Sequence, residues 1–165
     1  MNMGKKRSRS SESAGESALR LLAIRDHSRE EIRSKLQAKG FGAEEIERVL
    51  RDLVARGILD DFRYAQRLAL SLTEEKLLGP QRIRQKLFQR GIPANLAQEA
   101  IEKAEETLAA SERLQKVLRM KLQGRNLGQV LPKEKKQLVN YLRQRGFLWE
   151  DIWEAFQEAG ALEEE

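Results

Sequence analysis

A chain of 165 residues with 40% apolar and 35% charged residues, but only 5% aromatics, has the composition of an all-helical protein with small cores. The lack of cysteine excludes disulfides and thiolate metal sites, and no apolar run approaches the roughly 18 residues needed to span a bilayer. The start, "MNMGKKRSRSSESAGES", is basic but has no apolar stretch behind it, so it does not read as a secretory signal and a soluble cytoplasmic protein is expected.

Residues 1–17, rich in Ser and Lys/Arg, are expected to form a disordered tail. A first helix is predicted over about Ala18–Asp26. Ser28 and Glu31 then form a capping box, with His27 in the preceding position, and open a helix carrying Ile32 and Leu36. Gly40 stops that helix, and Ile46, Val49, Leu50 and Leu53 follow at helical spacing. Asp60 or Asp61 can cap the next helix, Asp61–Lys76, whose apolar stripe includes Phe62, Ala65, Leu68, Ala69 and Leu72. Pro80 sits at the first position of a helix bearing Ile83 and Leu87, where its missing N–H is not needed. Gly91 stops it, and Ala97, Ala100, Ile101 and Ala104 follow. The segment "AIEKAEETLAASERLQKVLRMKLQ" has neither Gly nor Pro, so continuous or barely broken helix leads into a helix over Ser111–Gln123. Pro132 opens the helix with Leu138 and Leu142, Gly146 stops it, and Ile152, Ala155, Phe156 and Ala159 complete the series.

Three of these stretches are one degenerate repeat: "EIRSKLQAKGFGAEEIERVL", "RIRQKLFQRGIPANLAQEAI" and "QLVNYLRQRGFLWEDIWEAF". In each, a basic residue (Lys39, Arg90, Arg145) precedes the glycine and an apolar residue (Phe41, Ile92, Phe147) follows it. A glycine just past a helix end supplies a left-handed residue, and the residue after it packs back one turn. Phe41 should therefore cover Leu36, Ile92 cover Leu87, and Phe147 cover Leu142. The expected fold is an elongated tandem array of three three-helix, helix-turn-helix-like repeats, at 18–59, 60–108 and 109–165. Each should have its own core and only modest interfaces with its neighbours.

Charge is uneven along this array. Residues 79–146 carry 15 Lys+Arg against 6 Asp+Glu, whereas residues 147–165 carry 7 Asp+Glu and no Lys or Arg. Between Pro80 and Gly91 stand Arg82, Arg84, Lys86 and Arg90 with no acidic residue. At equivalent repeat positions the first unit has Glu31 where the middle unit has Arg82, and these positions lie off the Ile83/Leu87 stripe. Core packing does not account for the reversal, which points to a surface that meets something negative, the other reading being a solvated face without a partner. Catalysis has little to stand on. His27 is the one histidine and is explained by its place beside the cap. Tyr64 and Tyr141 have no phosphate-binding constellation around them, and no Gly-rich phosphate loop is present. No cofactor or metal is implied, and with no dimer seam evident a monomer is expected.

The stretch "GILDDFRYAQRLALSLTEEKLLGPQRIRQKLFQRGI" closely resembles the signature of the RecX regulatory proteins, through Leu59, Asp60, Asp61, Arg63, Tyr64, Ala65, Gly79, Pro80, Arg82 and Ile83. The resemblance covers residues 18–105 well and the third unit loosely. It departs at Lys86, where the family usually has an acidic residue. It implies a non-enzymatic modulator of the RecA recombinase, acting in DNA repair, recombination and the SOS response. Such a protein binds the RecA–DNA filament and restrains its ATPase, strand-exchange and co-protease activities, with at most weak, salt-sensitive direct DNA binding. Arg63, Tyr64, Arg82, Arg84, Lys86 and Arg90 are the expected contact residues. The alternative is an autonomous DNA-binding protein of helix-turn-helix type, for which Arg82 and Gln85 could read bases.

Overall fold

In the computed structural model, which describes residues 12–161, those residues form nine α-helices and one 3-10 turn, with no strand. In order they are α1 (Ala14–Ile24), α2 (Arg29–Ala38), α3 (Ala43–Ala55), α4 (Asp61–Glu74), α5 (Pro80–Gln89), α6 (Ala94–Thr107), α7 (Ala110–Leu122), α8 (Pro132–Gln144) and α9 (Trp149–Ala161). Each consecutive trio closes on a separate core. The first is built on Ile32, Leu36, Ile46, Leu50 and Leu53, and the second on Ala65, Ala69, Ile83, Leu87, Ile92 and Ile101. The third is built on Leu114, Leu118, Leu138, Leu142, Phe147 and Ile152.

The three helix stops share one geometry. Phe41, Ile92 and Phe147 donate their amides to the carbonyls of Leu36, Leu87 and Leu142 at 3.2, 3.1 and 3.3 Å. The glycine amides donate to Gln37, Phe88 and Arg143 at 2.9, 2.8 and 2.9 Å. Gly40, Gly91 and Gly146 have φ of +91°, +71° and +90°, the left-handed region this closure requires. A fourth stop of the same kind ends α3, with Ile58 donating to Leu53 at 2.9 Å.

Helix α1 begins earlier than its apolar pattern suggests. Ser13 accepts from the Glu16 amide and the Glu16 carboxylate accepts from the Ser13 amide, a second capping box, in "SAGE". Residues 12–17 therefore belong to the first module, and only residues 1–11 of the expected tail lie outside the described residues. Between α6 and α7 the helix breaks at Leu108, which is extended at φ −151°, ψ 101°. The connection to α8 also holds structure, a 3-10 turn at Leu127–Gln129 that turns Leu127 and Val130 into the third core.

His27 is 4% exposed, and its Nδ1 lies 2.9 Å from the Arg25 carbonyl, which can only accept, so Nδ1 carries the proton. Burial holds its pKa below the ordinary imidazole value, with the Arg25 carbonyl pulling the other way. A lowered folded-state pKa means that stability is complete above the unfolded value, about 6.5. It is then lost as pH falls towards the folded value. The thermal midpoint of the first module is expected to fall from pH 7 to pH 5, and His27→Gln should flatten that part of the profile. An NMR titration placing the His27 pKa above 6.5 would contradict this assignment.

The compact units do not coincide with the three modules. One unit runs up to Asp60, and the second, from Asp61, contains both the middle and the third modules. The reason lies in a junction inside that second unit.

Candidate functional site

Helix α5 is positioned by its apolar residues. Ile83 and Leu87 are fully buried, which turns the rest of its surface outward. Gln81, Arg84, Gln85 and Phe88 form one stripe and line a shallow groove completed by Ile92 and Ala97. Arg84 donates to Gln98 Oε1 at 2.7 Å, and Arg82 to Gln85 Oε1 at 2.5 Å. Arg84 and Arg90 are exposed, while Arg82 and Lys86 are half-buried. The four cations expected to act together thus lie around a single ten-residue helix or at its end. Phe88 is 77% exposed beside them, an aromatic surface that the sequence pattern does not separate from core.

Arg63 is an exposed residue of α4. Tyr64 is only 8% exposed and packs in the middle core, so its ring is part of the scaffold under the face. Other signature residues are scaffold as well. Leu59 completes the first core, and Ala65 and Ile83 belong to the second.

Gly79 has a different task. Its amide donates to the Arg145 carbonyl at 2.8 Å, and the Gln81 amide donates to the Gly146 carbonyl at 3.1 Å. The start of α5 is thereby hydrogen-bonded to the end of α8. A Cβ on Gly79 would lie 2.3 Å from the carbonyl carbon of Gly146, and a Cβ on Gly146 would lie 2.2 Å from the Arg82 amide nitrogen. Only two glycines permit backbones this close.

Two arginines grip the same loop. Arg145 donates to the Lys76 and Leu77 carbonyls and also, at 3.2 Å, to the Tyr141 hydroxyl. Arg113, fully buried, donates Nε to the Leu78 carbonyl at 2.9 Å, Nη1 to the Leu108 carbonyl, and Nη2 to Glu105 at 3.2 Å. Leu77 itself, with a left-handed φ of +49°, packs its side chain against the third core. The loop "KLLGP" is therefore the joint between the middle and third modules. Sequence reading misses Arg113. The signal available for it is a cation standing directly before Leu114 on the buried side of α7, where the pattern calls for an apolar residue.

Among the described residues no cluster of His, Asp or Glu could hold a metal ion, and no helix is long and apolar enough to cross a membrane.

Comparison with known proteins agrees with this architecture. Residues 14–53 match the family model described as RecX, first three-helix domain, and residues 60–101 match RecX, second three-helix domain. The chain is 37% identical to regulatory protein RecX of Chlorobaculum tepidum over 154 residues, covering 93% of this chain and 89% of the relative. That alignment necessarily takes in most of the third module. Regulatory protein RecX of Escherichia coli K12 is 36% identical over 153 residues, covering 85% and 87%. Among solved structures, RecX from Lactobacillus salivarius superposes with a TM-score of 0.78 over 90% of this chain and 95% of that one, at 22% identity. A second solved structure, of a regulatory protein RecX, gives 0.73 over 88% and 70% at 25% identity. Two consecutive three-helix domain matches, together with identity above a third across nearly the whole length of a relative, show that this chain belongs to the RecX family of regulatory proteins.

Proposed function

We propose that this protein binds the RecA–DNA filament and restrains its ATPase, strand-exchange and co-protease activities, without catalysis of its own, and so regulates DNA repair and recombination. The observation that carries the reading is α5, a helix that commits Ile83 and Leu87 to the core and surrounds itself with Arg82, Arg84, Lys86 and Arg90 and no carboxylate. Its counterpart in the first module, α2, begins instead with Glu30 and Glu31. A cationic face on one module of an array suits a nucleoprotein partner that presents phosphate and acidic protein surface together. Several modest contacts along such a partner raise affinity without any single strong site. Arg63 contributes charge from α4, and Tyr64 contributes by packing beneath.

The test is charge reversal on α5. Arg84→Glu with Lys86→Glu leaves the core stripe intact and should change stability by only about 0.5 kcal/mol per site. Arg82 is spared because its amide and Cβ lie against Gly146. Affinity for assembled RecA filament is expected to fall at least ten-fold (an order-of-magnitude expectation for losing two charged contacts). Any phosphate component should weaken steeply with salt. Leu87→Ala serves as a stability control, costing about 2–5 kcal/mol without touching the charges. Unchanged filament affinity in the folded reversal variant would remove the basic face from the binding surface. Tight binding to free duplex, equal to that for filament, would instead favour the helix-turn-helix DNA-binding alternative.

A further inference from the structure

We propose that the outward face of α9 is a docking strip for a Lys/Arg-rich protein segment. Trp149 and Trp153 are the chain's two tryptophans, and both stand on this helix, 52% and 56% exposed. Their ring centroids are 6.3 Å apart with planes 25° from parallel. They are not needed for the core, which α9 reaches through Ile152 and Ala155 on its other side. Leu148, 37% exposed, extends the apolar strip at its start. Beside Trp149 and Trp153 runs a parallel row at the same four-residue spacing, Glu150, Glu154 and Glu158. Glu158 accepts from Gln115 at 2.8 Å, whereas Glu150 and Glu154 make no ion pair among the described residues.

Residues 147–165 contain no Lys or Arg, so the helix carries no cation of its own to offset this row. Like charges four residues apart are unfavourable on an isolated helix. A cationic partner removes that repulsion and also finds two broad indole faces for its ammonium or guanidinium groups. Carboxylates accept guanidinium in paired hydrogen bonds, and tryptophan is enriched among the residues that dominate protein interfaces. Phosphate is the wrong partner here, because it would approach the carboxylate row. Arg143 shares a groove with Asn140, Trp149 and Glu150 at the start of the row, and Arg119 and Arg125 share one with Glu158 at its end, so the negative charge is least offset around Glu154, in the middle of α9. This surface is opposite in sign to α5 and stands whether or not the filament-binding reading holds.

Because both tryptophans lie in the strip, the tryptophan emission of the full-length protein reports on it alone. At low salt, titration with a synthetic oligo-arginine peptide is expected to give a saturable one-to-one change in emission. An oligo-glutamate peptide and a thymidine oligonucleotide should give none. Glu150→Gln with Glu154→Gln, which keeps both reporters, should weaken peptide binding about ten-fold, as expected for losing both charge pairs. Trp153→Phe, read through Trp149, should weaken it several-fold, and circular dichroism confirms that each variant is folded. Parental affinity in the double Gln variant overturns the proposal, as does an equal response to the oligonucleotide. An emission change on raising protein concentration alone, with dimer mass in sedimentation, assigns the strip to a second copy and likewise overturns it.

Discussion

Replacing Arg113 by methionine is expected to lower the stability of the second unit by about 3–5 kcal/mol, the range for breaking a buried ionic group away from its partners. The guanidinium is fully buried, and it donates to the Leu78 and Leu108 carbonyls and the Glu105 carboxylate. Burial pulls its pKa below the usual guanidinium value, with Glu105 pulling the other way, and a guanidinium keeps its charge in proteins. Methionine fills much of the volume but donates nothing, and each orphaned carbonyl costs about 1–3 kcal/mol. Arg113→Lys keeps the charge but not the planar fork, and one ammonium is not expected to replace the contacts of three nitrogens to separate acceptors. Urea unfolding of the full-length variants is the measurement. A loss below about 1 kcal/mol for Arg113→Met, the level of an ordinary surface change, would show that the three contacts do not hold the joint.

Gly146→Ala is the second large effect, and the repeat supplies its own control. Gly40 and Gly146 end equivalent helices with φ of +91° and +90°, so an alanine in either meets the same left-handed strain, about 1–2 kcal/mol. Nothing lies within 4 Å of a Cβ placed on Gly40, whereas one placed on Gly146 would lie 2.2 Å from the Arg82 amide nitrogen. Relief requires α8 and α5 to part, which adds about 1–3 kcal/mol of overpacking. It also loosens the Gly79–Arg145 and Gln81–Gly146 hydrogen bonds. Gly146→Ala is therefore expected to exceed Gly40→Ala by at least about 2 kcal/mol in chemical denaturation, the overpacking and bond losses together. Equal losses for the two variants would mean that the close approach contributes nothing. Gly79→Ala should show the overpacking share of this loss without the left-handed strain, since its own φ is an ordinary −72° but its Cβ would meet the Gly146 backbone from the other side.

The same comparison separates what could be read along the chain from what could not. The helices, their stops and the three cores are legible from the order of residues alone. A capping box, a proline at the first helical position and a glycine closure act within about six residues, and apolar periodicity selects the buried side of a helix without reference to any partner. Phe41, Ile92 and Phe147 consequently bond where their spacing places them, and α5 presents Arg84 and Arg90 because Ile83 and Leu87 go inward. Even the early start of α1 was written locally, in Ser13 and Glu16.

What joins the middle and third modules emerges only when distant segments pack. Gly79 reads as a plain residue before a helix and Gly146 as one more helix stop. Only their meeting shows that each must lack a side chain because of the other. Arg113 reads as a surface cation until the carbonyls of Leu78 and Leu108 arrive around it. Tyr64 likewise moved from the candidate face into the core, because its burial depends on the helices packed over α4. Local rules specify where a helix begins, ends and turns its apolar side. They carry no information about which distant backbone will come within van der Waals contact, because that is settled by packing between segments far apart in the chain.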